Sequence, residues 1–395
     1  MIEDIFYLQT METKPTRSQR LLSLDFFRGL TVAAMILVNN PGSWAHIYPP
    51  LAHAEWHGCT PTDLVFPFFL FIVGVSIAYA MGSKREDAAT HGKTIWKASK
   101  RAFTLFLLGF ILAFFPRNFS DFNFIEALKT VRIPGVLQRI SVVFLISSIL
   151  FLKLSDKRLF QTIVVLLFGY WALMTFVPIP DFGPANLEKE TNLGAWLDRT
   201  ILTEAHLWKA AKTWDPEGIL STLPAIGTCL IGVLVGTYLK KKTIEPATKI
   251  AWLFSAGTLM FMGGLIWDLS FPINKSLWTS SYVLYTGGLA TVILALSYWL
   301  IDVNHYNRFT KPFVVYGVNA ITVFFLSGLM PRLLNMIKVD LNGEQVGALN
   351  YVNKAWFVPS FADPLNASLA YAIAFVLFWY VILWLMYKRN IIIKV

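Results

Sequence analysis

Ten apolar runs, each about long enough to cross a bilayer, dominate this chain and restrict what it can fold into. They fall near residues 24–40, 64–81, 102–116, 134–152, 159–178, 218–239, 250–267, 281–301, 312–330 and 366–387. Hydrocarbon offers no hydrogen bonds to exposed backbone, so runs of this length must be helices that satisfy their own amides. A hydrophobic fraction of 55% and a mean hydropathy of +0.55 agree, since soluble domains are more polar. The expectation is an all-α fold: a polytopic membrane helix bundle of about ten transmembrane helices seated in the lipid bilayer. The third run is short, and the first carries Asp25 and Arg28.

Lysine and arginine orient the bundle, because short cytoplasmic loops retain positive charge. An even number of crossings puts both termini on one side. With that side cytoplasmic, inner segments hold 21 basic residues and outer loops 11, while Arg28 and Arg139 fall inside helices. The inner set includes Lys14, Arg17, Arg20, six residues from Lys84 to Arg101, and Lys394. The net charge of +10 is therefore a topology signal, and nothing calls for nucleic acid. Residues 1–19 read as a polar cytoplasmic tail without a cleavable signal pattern. Residues 20–395 read as a single transmembrane domain, uninterrupted by a soluble domain, linker or repeat. Only Cys59 and Cys229 occur, which argues against a disulfide framework.

The most informative stretch is LAHAEWHGCTPTDLVFPFFLFIVG, residues 51–74, where a polar loop runs straight into an apolar helix. Thr60 caps that helix, Pro61 fits its first turn, and Asp63 returns a bond to the capping amide. A helix pinned in this way holds His53 and His57 just outside the apolar layer. Three chemistries are open there. A metal site would need His46 or Asp63 as a further ligand, and the HExxH order is lacking. Cys59 as a nucleophile lacks a cationic sequence neighbour to lower its pKa. His53 or His57 as general base or covalent acceptor remains, although on spacing alone an ordinary loop histidine is the simpler reading.

Further polar residues collect near the helix ends. Asp25 and Arg28 share a helix face and read first as an ion pair. Asn39 and Asn40 of VNNPG adjoin the histidine loop, in a context typical of turns. RIPGVLQRI groups Arg132, Gln138 and Arg139. Left unpaired inside an apolar run, Arg139 would cost about 2.5–3.5 kcal/mol, so an anionic partner is expected: Asp121, Glu126 or a ligand. DPEG offers Glu217, either as a helix-dipole acid or as a site residue. NKSLWT carries Lys275, and YGVNAIT buries Asn319. Seven tryptophans in outer loops, Trp56 among them, exceed what an interfacial belt requires and suit stacking on sugar rings.

The stretches RLLSLDFFRGL, LAHAEWHGCTPTDLVFPFFLFIVG, RIPGVLQRI, DPEGILSTLPAI, FPINKSLWTSSYVL and YGVNAI, in that order, resemble the transmembrane acetyltransferases typified by heparan-α-glucosaminide N-acetyltransferase and their bacterial relatives. The resemblance implies transfer of an acetyl group from cytoplasmic acetyl-CoA, as co-substrate, to the amine of a glucosamine across the membrane. It implies that His53, not His57, is catalytic, with Asn39, Asp63 and Glu217 matching motif positions. Arg28, Asn40, Trp56, Arg132, Gln138, Arg139, Lys275 and Asn319 are the accompanying candidates for binding substrate or cofactor. No metal is expected, and a homodimer is a compatible assembly. Lysosomal members carry a luminal domain and an additional helix before the shared core, whereas this chain reaches RLLSLDFFRG by residue 20, so a bacterial inner membrane is the expected location.

The chemistry suits these residue types. An amine must lose a proton to attack a thioester, and an imidazole, with an ordinary pKa of about 6.5, accepts one near neutrality. Asn39 would donate to the developing oxyanion, and Asp63 would orient the imidazole or only cap its helix. His53 acetylated in a two-step scheme is the mechanistic alternative. Two other functions fit the composition: an amino-sugar transporter without chemistry, and an O-acyltransferase of envelope glycans. Because acetyl-CoA is cytoplasmic and His53 is outward, the transferase requires a cavity open to the cytoplasm and lined by basic side chains.

Overall fold

The computed structural model describes residues 21–115 and 123–393. The tail 1–19, Arg20, Asp121 and Lys394 lie outside the described residues. The protein is an all-α polytopic membrane bundle. Its long helices are α1 (Leu22–Asn39), α2 (Val65–Arg85), α3 (His91–Phe114), α4 (Val136–Lys153), α5 (Asp156–Phe176), α6 (Thr222–Lys240), α7 (Pro246–Asp268), α8 (Ser280–Ser297), α9 (Lys311–Val318), α10 (Ala320–Met336) and α11 (Pro364–Lys388). Strand occurs among the described residues only as the antiparallel hairpin Lys338–Leu341 with Glu344–Gly347.

Every expected apolar run lies on a helix among the described residues. Among the described residues, eight helices are long and apolar enough to span a bilayer, and α9 with α10, bent by 79°, makes a ninth if the pair acts as one span. The expected run 102–116 meets that measure only in part: its residues 102–114 form the second half of α3, whose first half carries Lys93, Lys97, Lys100 and Arg101. Long basic side chains there can reach the interface while their stems stay in the apolar layer.

Association in lipid depends on close packing rather than on expulsion of water, and small residues permit it. At the centre, Gly74 of α2 lies against the Cys229 carbonyl of α6, and Gly232 lies against the Phe71 carbonyl, where a methyl group would collide with backbone. The end rich in lysine and arginine, termed inner and its opposite outer from the expected topology, is built from cations at helix C-termini, as the helix dipole favours. Lys240 Nζ donates to Ala78 O at 3.1 Å, Lys249 Nζ donates to Leu239 O at 2.8 Å, and Arg85 donates to Leu154 O. The α1 N-terminus is met by an acid: the Asp302 carboxylate accepts the Leu22 and Ser23 N–H groups at 3.1 and 3.0 Å. Packing tight at the core and charge-capped at one end leaves the opposite end, where α1, α2, α4, α6 and α8 meet the loops, free to carry a site.

Candidate active site

The turn Pro61–Leu64 that starts α2 builds the site's first pair. The capping box forms as the sequence leads one to expect, with Asp63 Oδ2 accepting the Thr60 N–H at 3.0 Å. The same oxygen accepts the Ala54 N–H at 3.0 Å, while Oδ1 lies 2.7 Å from His53 Nδ1. Asp63 is almost fully buried, whereas the His53 side chain is 49% exposed. An ionised carboxylate only accepts, so Nδ1 carries the proton and Nε2 is left with its lone pair. Tyr282 on α8 secures the turn from below, its hydroxyl donating to the Asp63 carbonyl. One aspartate thus both caps the helix and sets the imidazole tautomer.

Lys275, from the loop between α7 and α8, completes a triad. Its Nζ lies 3.0 Å from His53 Nδ1, 3.2 Å from Nε2 and 3.7 Å from Asp63 Oδ1. Since Nδ1 donates to Asp63, Nε2 is the acceptor available to the lysine. Burial lowers the Lys275 pKa below the ordinary lysine range, against the opposing fields of Asp63 and Glu217. Burial, and then the Asp63 charge, push the thiol of nearby Cys59 up to about 12, which disfavours the thiolate that a nucleophile needs. The other histidines are engaged elsewhere: His57 Nδ1 lies 3.4 Å from the Asn274 amide, and His46 Nδ1 lies 3.3 Å from Ser43 Oγ. The imidazoles therefore do not converge as a ligand set.

A second network stands across the cavity. Arg132 grips Asp215 through Nε and Nη2 and also pairs with Glu217. Burial opposes the charge on Arg132, but these two carboxylates hold its pKa above the ordinary arginine range. Burial likewise opposes the Glu217 charge, and Arg132, Arg139 and Lys275 together hold its carboxyl below the usual range. Beneath the DPEG turn, Asp198 Oδ1 accepts the Ile219 N–H at 2.8 Å. Its carboxyl is pushed up to about 7, first by burial and then by the Asp215 charge.

His53, Asp63, Lys275, Asn39, Trp56, Arg132 and Glu217 all line one outer cavity of about 350 Å³. Trp56 meets Trp214 edge to face at 5.1 Å, and Trp214 meets Trp208 at 5.6 Å, so aromatic faces form one wall. Asn39 contributes an amide with no bonded partner among the described residues. Two wider outer grooves adjoin: Gln138 lines one, and Asn39 and Asn40 line the other.

A separate cavity of about 350 Å³, farther toward the inner end, is lined by Arg28, Ser76, Arg101, Phe69, Ile140 and Asn319 among others. Its lining approaches that of the His53 cavity to within about one helical turn, a rise of about 5.4 Å, on three helices. The pairs are Phe69 and Phe66 on α2, Ile140 and Val136 on α4, and Ile321 and Phe324 on α10. Arg28 therefore lies with the inner cavity rather than with His53, bound to Asp25 and Ser76.

Arg139 and Asn319 have partners that the sequence did not indicate. Arg139 lines neither cavity. Its hydrogen bonds go to the Gly218 carbonyl and the Ser221 hydroxyl, with its guanidinium 5.2 Å from the Trp278 ring, and Glu217 supplies a carboxylate field nearby. A carbonyl, a hydroxyl, an aromatic face and that nearby carboxylate share the cost of the buried charge. Asn319 is committed to the chain itself: it donates to Ile391 O at 3.1 Å and accepts the Ile393 N–H at 2.9 Å. Asp198 and Tyr282 were not foreseen, because nothing local in LDRT or SSYV distinguishes a buried support from an ordinary polar residue.

A family model described as heparan-alpha-glucosaminide N-acetyltransferase, catalytic, matches residues 20–264. The chain belongs to this family. It is 30% identical over 366 residues to the heparan-alpha-glucosaminide N-acetyltransferase of Mus musculus, covering 79% of this chain and 54% of that protein. It is also 30% identical over 353 residues to the Homo sapiens protein of the same name, covering 77% of this chain and 52% of that one. The chain spans about half the length of the curated relatives it matches. The family match takes in the His53 loop, Arg132 and the DPEG turn, whereas Lys275 and Asn319 lie beyond its end.

Proposed function

We propose that the chain is a membrane-embedded acyltransferase that moves an acetyl group from acetyl-CoA to the amine of a glucosamine-type sugar. The observation that carries this reading is the Asp63–His53 pair, which presents an acceptor nitrogen into a tryptophan-walled cavity one helical turn from a second cavity holding Arg28 and Arg101. Residues 20–395 act as a single transmembrane domain in a bacterial inner membrane, with both termini cytoplasmic. The inner cavity admits the pantetheine arm, with Arg28 and Arg101 toward the CoA phosphates, and the thioester passes the layer between the two cavities. The sugar stacks on Trp56 and Trp214, its amine facing His53 Nε2.

His53 then takes the amine proton as the nitrogen attacks the thioester carbonyl. The Asn39 amide donates to the oxygen as negative charge develops. The Arg132–Asp215–Glu217 network holds the wall opposite. Because Nδ1 is fixed on Asp63, Nε2 is equally placed to accept the acetyl group itself. A burst of free CoA without acceptor would mark that route. Transfer of labelled acetyl from acetyl-CoA to a panel of amino sugars, with His53→Ala as control, tests the reaction. Binding or flux of an amino sugar with no acetylated product from any acceptor would favour transport, and product on hydroxyl-only glycans would favour O-acylation.

A further inference from the structure

Acetyl transfer from a thioester to an amine needs two proton movements, one off the nitrogen and one onto the departing sulfur. The Asp63–His53 pair provides for the first. For the second, a lone imidazole would have to swing from one side of the tetrahedral carbon to the other. The Lys275 ammonium lies in the same cavity, 3.2 Å from His53 Nε2, with its side chain only 19% exposed.

We propose that Lys275 is the general acid of the transfer, protonating the CoA thiolate as it leaves and recovering its proton from His53. The inference rests on the acetyltransferase reading above. The amine attacks the carbonyl carbon, the C–N bond forms, and the carbonyl electron pair moves onto oxygen while the amine proton passes to Nε2. The oxyanion then reforms the C=O bond, the C–S bond breaks with its electron pair on sulfur, and a Lys275 proton moves to that sulfur. The imidazolium Nε2–H proton crosses to the neutral lysine amine. Amine and acetyl-CoA have become amide and CoA thiol, and both side chains are restored.

The surroundings suit the role. The titratable and charged groups around Lys275 are His53 and Cys59 from the outer loop, Asp63 from the start of α2 and Glu217 from the DPEG turn, with Arg132 from the loop before α4 lining the same cavity. Burial that lowers the lysine's pKa brings it closer to that of an alkyl thiol, ordinarily about 8.5, and proton transfer is most effective between groups so matched. Asp63 Oδ1, 3.7 Å from Nζ, keeps the ammonium in place.

The test varies the leaving group. Wild type, Lys275→Gln and Lys275→Arg are assayed with one amino sugar and two donors, acetyl-CoA and phenyl thioacetate, whose aryl thiolate leaves without protonation. The expected result is a loss of about a hundredfold in kcat for both variants on acetyl-CoA, shrinking to a loss of a few-fold on phenyl thioacetate. Arginine keeps the charge but does not release its proton, so the Arg variant must fail alongside the Gln variant, and it also serves if the Gln variant does not fold. Equal losses on both donors, or wild-type turnover of acetyl-CoA by Lys275→Arg, would overturn the assignment. Absence of transfer by wild type from either donor would instead sink the acetyltransferase reading itself.

Discussion

Asp63→Asn should be more damaging to catalysis than Asp63→Ala, although it is the smaller change. Asp63 Oδ2 accepts two backbone N–H groups, from Ala54 and Thr60. An asparagine must turn its carbonyl oxygen toward those donors, because an NH₂ facing two N–H groups would leave three buried donors unsatisfied, at about 1–3 kcal/mol each. Its NH₂ then faces His53 Nδ1 and donates to it. The ring proton moves to Nε2, and the cavity loses its acceptor. General-base catalysis worth about a hundredfold to ten-thousandfold disappears with it. Alanine imposes no tautomer, so some molecules keep Nε2 free. It does sacrifice the helix cap, at about 0.5–2 kcal/mol of stability. Acetyl transfer in detergent, normalised to folded protein and set beside thermal unfolding, separates the two effects. The Asn variant should be the more stable and the less active of the pair. An Asn variant within about tenfold of wild type would refute the tautomer argument and leave Asp63 as a cap alone.

Asn39→Ala should lower kcat by about a hundredfold to a thousandfold with little change in KM for either substrate, as expected of a donor needed in the transition state. A change confined to the acceptor KM would make Asn39 a binding residue instead. Arg101→Glu should raise the KM for acetyl-CoA about tenfold, roughly 1.4 kcal/mol of lost phosphate interaction, and leave acceptor KM unchanged. An unchanged donor KM would move the phosphates elsewhere. Asp198 provides a stability test. Its carboxyl titrates at about 7 in the folded chain, against about 3.9 when unfolded, so folding favours the neutral form. Stability linked to this group is complete below the unfolded value and is lost as pH rises through the folded one. The melting temperature of Asp198→Asn should therefore gain on wild type between about pH 5 and about pH 8, and a constant difference would contradict the assigned burial.

The features legible in the sequence were those carried by neighbouring residues. Apolar length marked the helices, and Thr60 with Asp63 three positions on marked a capping box that the structure contains. The run 102–116 was legible as apolar, but not that the basic residues before it continue the same helix, His91–Phe114. What spacing does not encode is pairing across the fold. Lys275 reaches His53 over 222 positions, and Arg132 reaches Glu217 over 85. Asn319 shows the same limit: it lines the inner cavity, and its amide also satisfies the backbone of 391–393, a pairing that spacing does not encode. Arg139 was expected to need an anion, and sequence alone did not reveal that Glu217, a helix-start carbonyl and a serine hydroxyl gather around it.

The central claim is that a donor thioester entering from one membrane face meets an acceptor amine presented at the other. Proteoliposomes carrying the protein, with glucosamine trapped inside and labelled acetyl-CoA added only outside, test it directly. The expected result is labelled N-acetylglucosamine in the lumen, absent with His53→Ala and absent when both reagents are outside vesicles whose protein faces its inner cavity outward. Product formed only when donor and acceptor share a compartment would contradict it.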